Sequence, residues 1–220
     1  MDKGITIIYY SSNKEDPKFE RKCIDQLLVV CGDYPIVSVT HKPVNLGKNI
    51  CIGEKPVCYS NLWRQQLIGL QEANTEFCIT AEADLLYPPD YFHFTPPVKD
   101  LVFRYDNVWL MFWKYKNRFW KKPRIEGAQM CGREYWISRL QNLLGKYPGW
   151  EPIRKRDGKL VNEIFDDVTT PDRMWTGNPV INFKTGNGIS NRPTLDLTVR
   201  PVKELPYWGT ARSIHKRMFS

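Results

Sequence analysis

Two acidic residues one position apart, Glu82 and Asp84, follow directly on an apolar and β-branched run, Phe77-Cys-Ile-Thr-Ala81, and precede Tyr87-Pro-Pro-Asp-Tyr91. The run reads as an interior strand of a sheet covered on both faces, and Pro88 and Pro89 forbid its continuation. In open α/β sheets ligands collect outside the carboxyl ends of the strands. Two carboxylates there can hold a hard divalent cation, which in turn can hold a diphosphate. A Glu-x-Asp pair by itself also describes an ordinary acidic loop.

A second group with chemistry in it is the segment 114–124, where Lys114, Lys116, Arg118, Lys121, Lys122 and Arg124 alternate with Tyr115, Phe119 and Trp120. Cations for phosphates and rings for stacking are what a nucleic-acid groove uses. A solvated basic hairpin end with its rings packed inward has the same composition. Further on, Lys184 precedes Gly186-Asn-Gly188, glycines that would let backbone N–H groups approach a phosphate; a plain turn is the alternative.

The elements that must position these groups can be read in order. Ile5 to Tyr10 is a first strand whose end opens into Ser11-Ser-Asn13. Asp16-Pro17 caps a helix over 17–31, with Phe19, Cys23, Leu27 and Val30 at helical spacing and Gly32 as its stop. Pro35 to Thr40 is a second strand, and β-α-β implies parallel neighbours. Residues 41–59 read as a long irregular loop containing Asn45-Leu-Gly47, a length that in a compact domain signals function. A helix from Leu62 to Ala73, with Ser60 or Asn61 as its cap, leads into the strand at Phe77. Leu101–Tyr105 and Val108–Trp113 suggest a tight hairpin around Asp106-Asn107, and a short strand or turn at 129–132 enters a helix over 133–144 that Gly145 ends. The last third is less regular and closes with a basic tail.

Composition narrows the class. The 220 residues are 42% hydrophobic and 13% aromatic and contain no linker, so one globular domain of 1–220 is expected. No apolar run approaches the roughly 20 residues of a bilayer span. Met-Asp-Lys-Gly enters a strand without signal-peptide features, so a cytoplasmic home in a microbe or a virus-infected cell is expected. The 6 cysteines are spaced for neither zinc nor redox pairs and read as reduced thiols. A net charge of +8 favours a polyanionic neighbour.

The order first strand, Asn-x-Gly loop, helix 60–73, then a central strand ending in acids and Tyr-Pro-Pro-Asp-Tyr resembles the GT-A glycosyltransferases of the family 2 type, over roughly residues 4–150. The resemblance implies a single-domain α/β fold: a Rossmann-like mixed sheet flanked by helices, with an antiparallel hairpin in the acceptor half. It implies a nucleotide-sugar donor met by Tyr10 and Ser11, with Asn45 and Gly47 in its loop and Lys184 on its phosphates. It also implies a divalent metal, manganese or magnesium, held by Asp84 with Glu82 beside it, and a late histidine, here His215, completing its shell. Glu stands where the family usually has the first Asp. An inverting enzyme further needs a carboxylate base, for which Glu151 comes first and Asp166 or Asp167 second. Charge and size suggest an anionic acceptor such as a modified base in phage DNA. The competing reading is a non-catalytic nucleic-acid-binding protein of the same fold. A sugar nucleotidyltransferase would carry a glycine-rich signature after the first strand, which Tyr10-Ser-Ser-Asn13 lacks.

Overall fold

A computed structural model describes residues 4–123, 125–154, 172–189 and 193–220. In chain order its elements are β1 (Ile5–Ser11), α1 (Pro17–Val30), β2 (Ile36–Thr40), β3 (Lys48–Cys51), α2 (Tyr59–Glu72), β4 (Phe77–Glu82) and β5 (Leu85–Leu86). After a 3₁₀ turn at Pro89–His93 come β6 (Val102–Tyr105), β7 (Val108–Phe112), β8 (Trp120–Lys122), β9 (Gln129–Gly132) and α3 (Arg133–Leu144). The chain finishes with β10 (Arg173–Trp175), β11 (Val180–Lys184), β12 (Glu204–Leu205), β13 (Gly209–Thr210) and α4 (Ala211–Phe219).

Among the described residues a seven-stranded sheet runs in the order β10-β6-β9-β4-β1-β2-β3. β1 pairs in parallel with β2 and β4, β3 in parallel with β2, while β9 is antiparallel to both β4 and β6. This is the mixed α/β sheet flanked by helices that the sequence led us to expect. The central strands are covered on both faces. Ile7, Tyr9, Ile79 and Ala81 belong to one buried cluster with Ile24, Leu27 and Val30 of α1, whereas the alternate residues Ile8 and Cys78 join Trp63 of α2 and Trp136 of α3 in another. Period-two side chains burying both ways explain the near-continuous apolar runs.

α1 begins where Asp16 accepts from the N–H groups of Lys18 and Phe19, at 2.9 and 3.0 Å, with Pro17 as its first residue. Such a cap stabilises a helix by about 1 kcal/mol. The cap of α2 lies earlier than Ser60: the helix starts at Tyr59 behind Cys58, which makes no side-chain capping bond. Instead Gln65 inside α2 donates to the carbonyls of Ser11 and Val39, at 2.9 and 2.8 Å, fastening together the ends of β1 and β2.

Three expectations change. Residues 41–59 contain β3, a short edge strand whose Lys-Asn-Ile-Cys sequence carries no strand pattern of its own and is set by parallel pairing with β2. Asp106-Asn107 does not turn a hairpin: β6 stays in the large sheet while β7 passes into a second, four-stranded sheet of order β5-β11-β7-β8. A two-residue type I′ turn needs positive φ at both central residues, and neither Asp106 nor Asn107 has it. The antiparallel hairpin of this half is β7 with β8, which pairs Val108 with Lys122 and Leu110 with Trp120. Finally, the basic tail is a capped helix, α4, which buries Ala211, Ile214 and Met218. All six cysteines are free, with Cys51 exposed and the others buried.

Candidate active site

The large sheet delivers its strand ends to a cleft of about 800 Å³, and the second sheet closes the opposite wall. Tyr10, Ser11 and Ser12 come from the end of β1, His41 from the end of β2, Asn61 and Gln65 from α2, and Glu82 and Asp84 from the end of β4. Lys122, Glu126, Asn182, Lys184 and Asn187 line it from the other side.

Glu82 is held firmly. Its Oε1 accepts from the Tyr10 hydroxyl at 2.7 Å, and its N–H donates to the Tyr87 hydroxyl oxygen at 2.9 Å. The Tyr87 hydroxyl in turn donates to the carbonyl of Gly127 at 2.6 Å. Gly127 packs so closely over the carboxylate that a Cβ there would collide with Glu82 Oε2. Asp84 is held from the second sheet: Asn182, fully buried on β11, donates from Nδ2 to Asp84 Oδ2 at 3.0 Å, and Phe183 N–H donates to the Asp84 carbonyl at 2.8 Å.

The two acids differ electrostatically. Burial, then the charge of Asp84, pushes the Glu82 carboxyl up to about 8, against the weaker opposing pull of Tyr10 and Lys122. Asp84 is also raised by burial, but Lys184, Lys122 and Asn182 all favour its charged form. Lysines and an amide thus favour the charged form of Asp84, while burial and the neighbouring charge favour the neutral form of Glu82, a division set by environment alone.

A third carboxylate, Glu15, lies in the loop after β1, and sequence patterning gave no sign of it. Its Oε1 accepts from Thr185 Oγ1 at 2.9 Å, while Oε2 is buried without a hydrogen-bond partner. Burial and then Asp84 push it up to about 7.

Among the described residues no group of three or more His, Cys, Asp or Glu is arranged to hold a metal. Glu82 and Asp84 bring to the cleft carboxylate oxygens, the donor type that magnesium and manganese take. The donor atoms present, carboxylate oxygens that burial makes costly to leave charged, fit such an ion.

The structure brings together Tyr10, Ser11, Glu82, Asp84, Lys122 and Lys184. It places other expected site residues elsewhere. Asn45 and Gly47 are exposed outside the cleft lining, and Gly47, at φ +55°, turns the chain against Ile36 where a Cβ would collide with the Ile36 carbonyl. Glu151 is exposed and outside the cleft lining. His215 is a half-buried residue of α4 whose Nε2 lies 2.8 Å from the Trp113 carbonyl and whose ring packs on Phe219. Asp166, Asp167 and Arg124 lie outside the described residues.

The basic aromatic segment divides. Phe119 is buried, Trp120 packs on Phe112 and Tyr115, and Lys121 donates to the Asp106 carbonyl at 2.7 Å. Trp113, Lys114, Tyr115, Lys116 and Arg118 remain exposed. Trp113, Lys114 and Tyr115 border a hollow of about 320 Å³ whose lining also includes Asp84 and Lys184.

His41 was given no role by its sequence context. It is buried in the cleft wall with both ring nitrogens unpartnered, and burial, then Lys14, pushes its pKa down, so the ring is neutral.

No family model and no curated protein matches the chain. Solved structures similar to it include a glycosyltransferase involved in the glycosylation of the major capsid of PBCV-1, with 13% identity and a TM-score of 0.44 over 79% of this chain and 81% of that one. The glycosyltransferase GlyE of Streptococcus pneumoniae TIGR4 aligns over 100% of this chain and 61% of its own, with 8% identity and a TM-score of 0.48. S. aureus TarS 1–349 in complex with UDP-GlcNAc gives 12% identity and a TM-score of 0.43 over 87% of this chain and 62% of that one.

Proposed function

We propose that this chain is a metal-dependent glycosyltransferase that moves a sugar from a nucleotide sugar to an acceptor hydroxyl. The observation that carries the reading is the pair Glu82 and Asp84 at the carboxyl end of β4, opening on a cleft large enough for a nucleotide sugar between two sheets. Asp84, assisted by Glu82, would hold the divalent ion. That ion would supply Lewis-acid neutralisation of the leaving diphosphate. Tyr10 and Ser11, with His41 and Gln65 behind them, form the wall for the nucleoside.

In the transfer the bond from the anomeric carbon to the diphosphate oxygen breaks, and the acceptor oxygen bonds to that carbon. The acceptor proton passes to a carboxylate, and the nucleoside diphosphate leaves. We assign the proton to Glu15, which lines the cleft, has a free buried oxygen and titrates near neutrality. Asp166 and Asp167 are its competitors for the role.

The acceptor enters past Trp113, Lys114 and Tyr115, whose hollow leads to Asp84. Exposed rings among lysines favour an anionic acceptor, DNA included, and they are also what supports the second reading, a nucleic-acid-binding protein without turnover.

The test is thermal unfolding of the purified protein with UDP, GDP, CDP and their sugars, each with and without manganese. A metal-dependent rise with one nucleotide, abolished in Asp84→Ala, is expected. Salt-sensitive DNA binding that survives Asp84→Ala, with no response to any nucleotide sugar, would move the assignment to the second reading.

A further inference from the structure

Two lysines stand in the cleft beside the acids. Lys122 ends β8 and Lys184 ends β11, strands that flank β7 in the second sheet. Asn182 and Lys184, two residues apart on β11, share a face. The Asn182 amide bridges the acid and the first lysine: Nδ2 donates to Asp84 at 3.0 Å, and Oδ1 lies 3.5 Å from Lys122 Nζ.

Among the described residues neither ammonium has a carboxylate within salt-bridge distance. Burial pushes Lys122 down, and the charge of Lys184 pushes it the same way. Like charges held together in a partly desolvated cleft are unfavourable until an anion comes between them. The nearby acids do not fill that role: Glu82 is hydrogen-bonded by the Tyr10 hydroxyl, and Asp84 is hydrogen-bonded by Asn182. Lysine binds phosphate as a mobile point charge, and Lys184 lines the cleft two residues before Gly186, where the chain turns at φ +100°.

We infer that Lys122 and Lys184 form a clamp for the phosphates of a diphosphate, so that lysines as well as the metal hold the leaving group. The identity of that anion as the donor's diphosphate rests on the glycosyl-transfer reading; the anion site itself does not. The inference moves Lys122 from the acceptor surface, where its sequence neighbours put it, to the donor side of the cleft.

The experiment is titration calorimetry without metal, in EDTA, using inorganic pyrophosphate, UDP and uridine as probes on wild type, Lys122→Met and Lys184→Met. Wild type should bind pyrophosphate, more weakly as salt rises. Each variant should lose about ten- to a hundredfold in affinity for pyrophosphate and UDP, with the affinity for uridine unchanged. Lys122→Met should also unfold at the same or a higher temperature, since it removes a poorly paired buried charge; a packing role alone would lower it. Unchanged UDP binding in both variants would overturn the clamp and leave the donor reading standing. Lysine-dependent pyrophosphate binding with no affinity for any nucleoside or nucleotide sugar would support the clamp and overturn the donor reading. No metal-free binding of pyrophosphate by wild type would overturn the clamp.

Discussion

The wall made by β1, β2 and β4 and the wall made by β7, β8 and β11 meet at Asp84, but they bring residues there by different means. In the first wall the site residues are consecutive with strand ends: Tyr10 and Ser11 finish β1, His41 follows β2 and Glu82 finishes β4. Parallel register does the positioning, pairing Tyr10 with Glu82 directly. In the second wall Lys122, Asn182 and Lys184 come from stretches some sixty residues apart and meet because three short strands pair. A wall built on strand ends is readable from hydrophobic runs; a wall built on pairing among short strands is not.

That difference sets what the sequence could reveal. β1, α1, β2, β4, β9 and α3 fall where apolar periodicity and caps put them, and the acidic pair sits where the fold rule places a ligand. β3, β5 and β8 were hidden because Lys-Asn-Ile-Cys, Leu-Leu and Trp-Lys-Lys carry no strand pattern apart from their partners. Glu15 was hidden for another reason: it precedes a capping Asp-Pro, so its neighbours describe a helix start and say nothing about its free oxygen. Lys122 was grouped with the acceptor cations because it belongs to a run of which only part faces solvent, while the structure puts it in the cleft lining.

The largest effect that tests the comparison is at the meeting point. Asp84→Ala should abolish transfer, by about 10³-fold or more, measured as nucleoside diphosphate release from the donor that the thermal screen selects. If turnover survives, the two walls do not converge on a metal at Asp84. Next is the link between walls. Asn182→Ala leaves Asp84 and Lys122 without their shared amide and should lower metal affinity or activity by about 10- to 100-fold, the usual cost of losing a ligand's orienting partner. A loss equal to that of Asp84→Ala would mean the second wall supplies more than orientation.

A smaller effect lies within the first wall and appears as pH dependence. The folded pKa of Glu82, about 8, exceeds the unfolded value near 4.5, so the folded state binds more protons across that interval. Stability of the metal-free protein is therefore fully present below about pH 4.5 as far as Glu82 is concerned, and is lost as pH rises through 8. Glu82→Gln should flatten this decline, with its advantage over wild type greatest above pH 8, read from urea unfolding in EDTA. An unchanged slope would place the burden on Glu15, which is also raised. Gly127→Ala probes the same carboxylate through geometry. Its new Cβ must displace the Glu82 head, so metal-dependent activity should fall while the fold survives.

The smallest effect concerns the Asn-x-Gly loop. By resemblance it belongs to the donor site, yet Asn45 is exposed outside the cleft lining, and Gly47 turns the chain into β3. Only a residue without a side chain combines φ +55° with this approach to Ile36. Gly47→Ala should therefore destabilise the protein by about 1–3 kcal/mol. Asn45→Ala should change nucleotide affinity by less than about twofold, as expected of a surface substitution. The pair of variants separates two explanations of one motif. If Asn45→Ala weakens nucleotide binding tenfold while stability holds, the loop reaches the donor and the first wall extends beyond the strand ends. If only Gly47→Ala matters, the glycine is there to turn the chain into an edge strand, and the donor is met by β1, β2 and β4 alone.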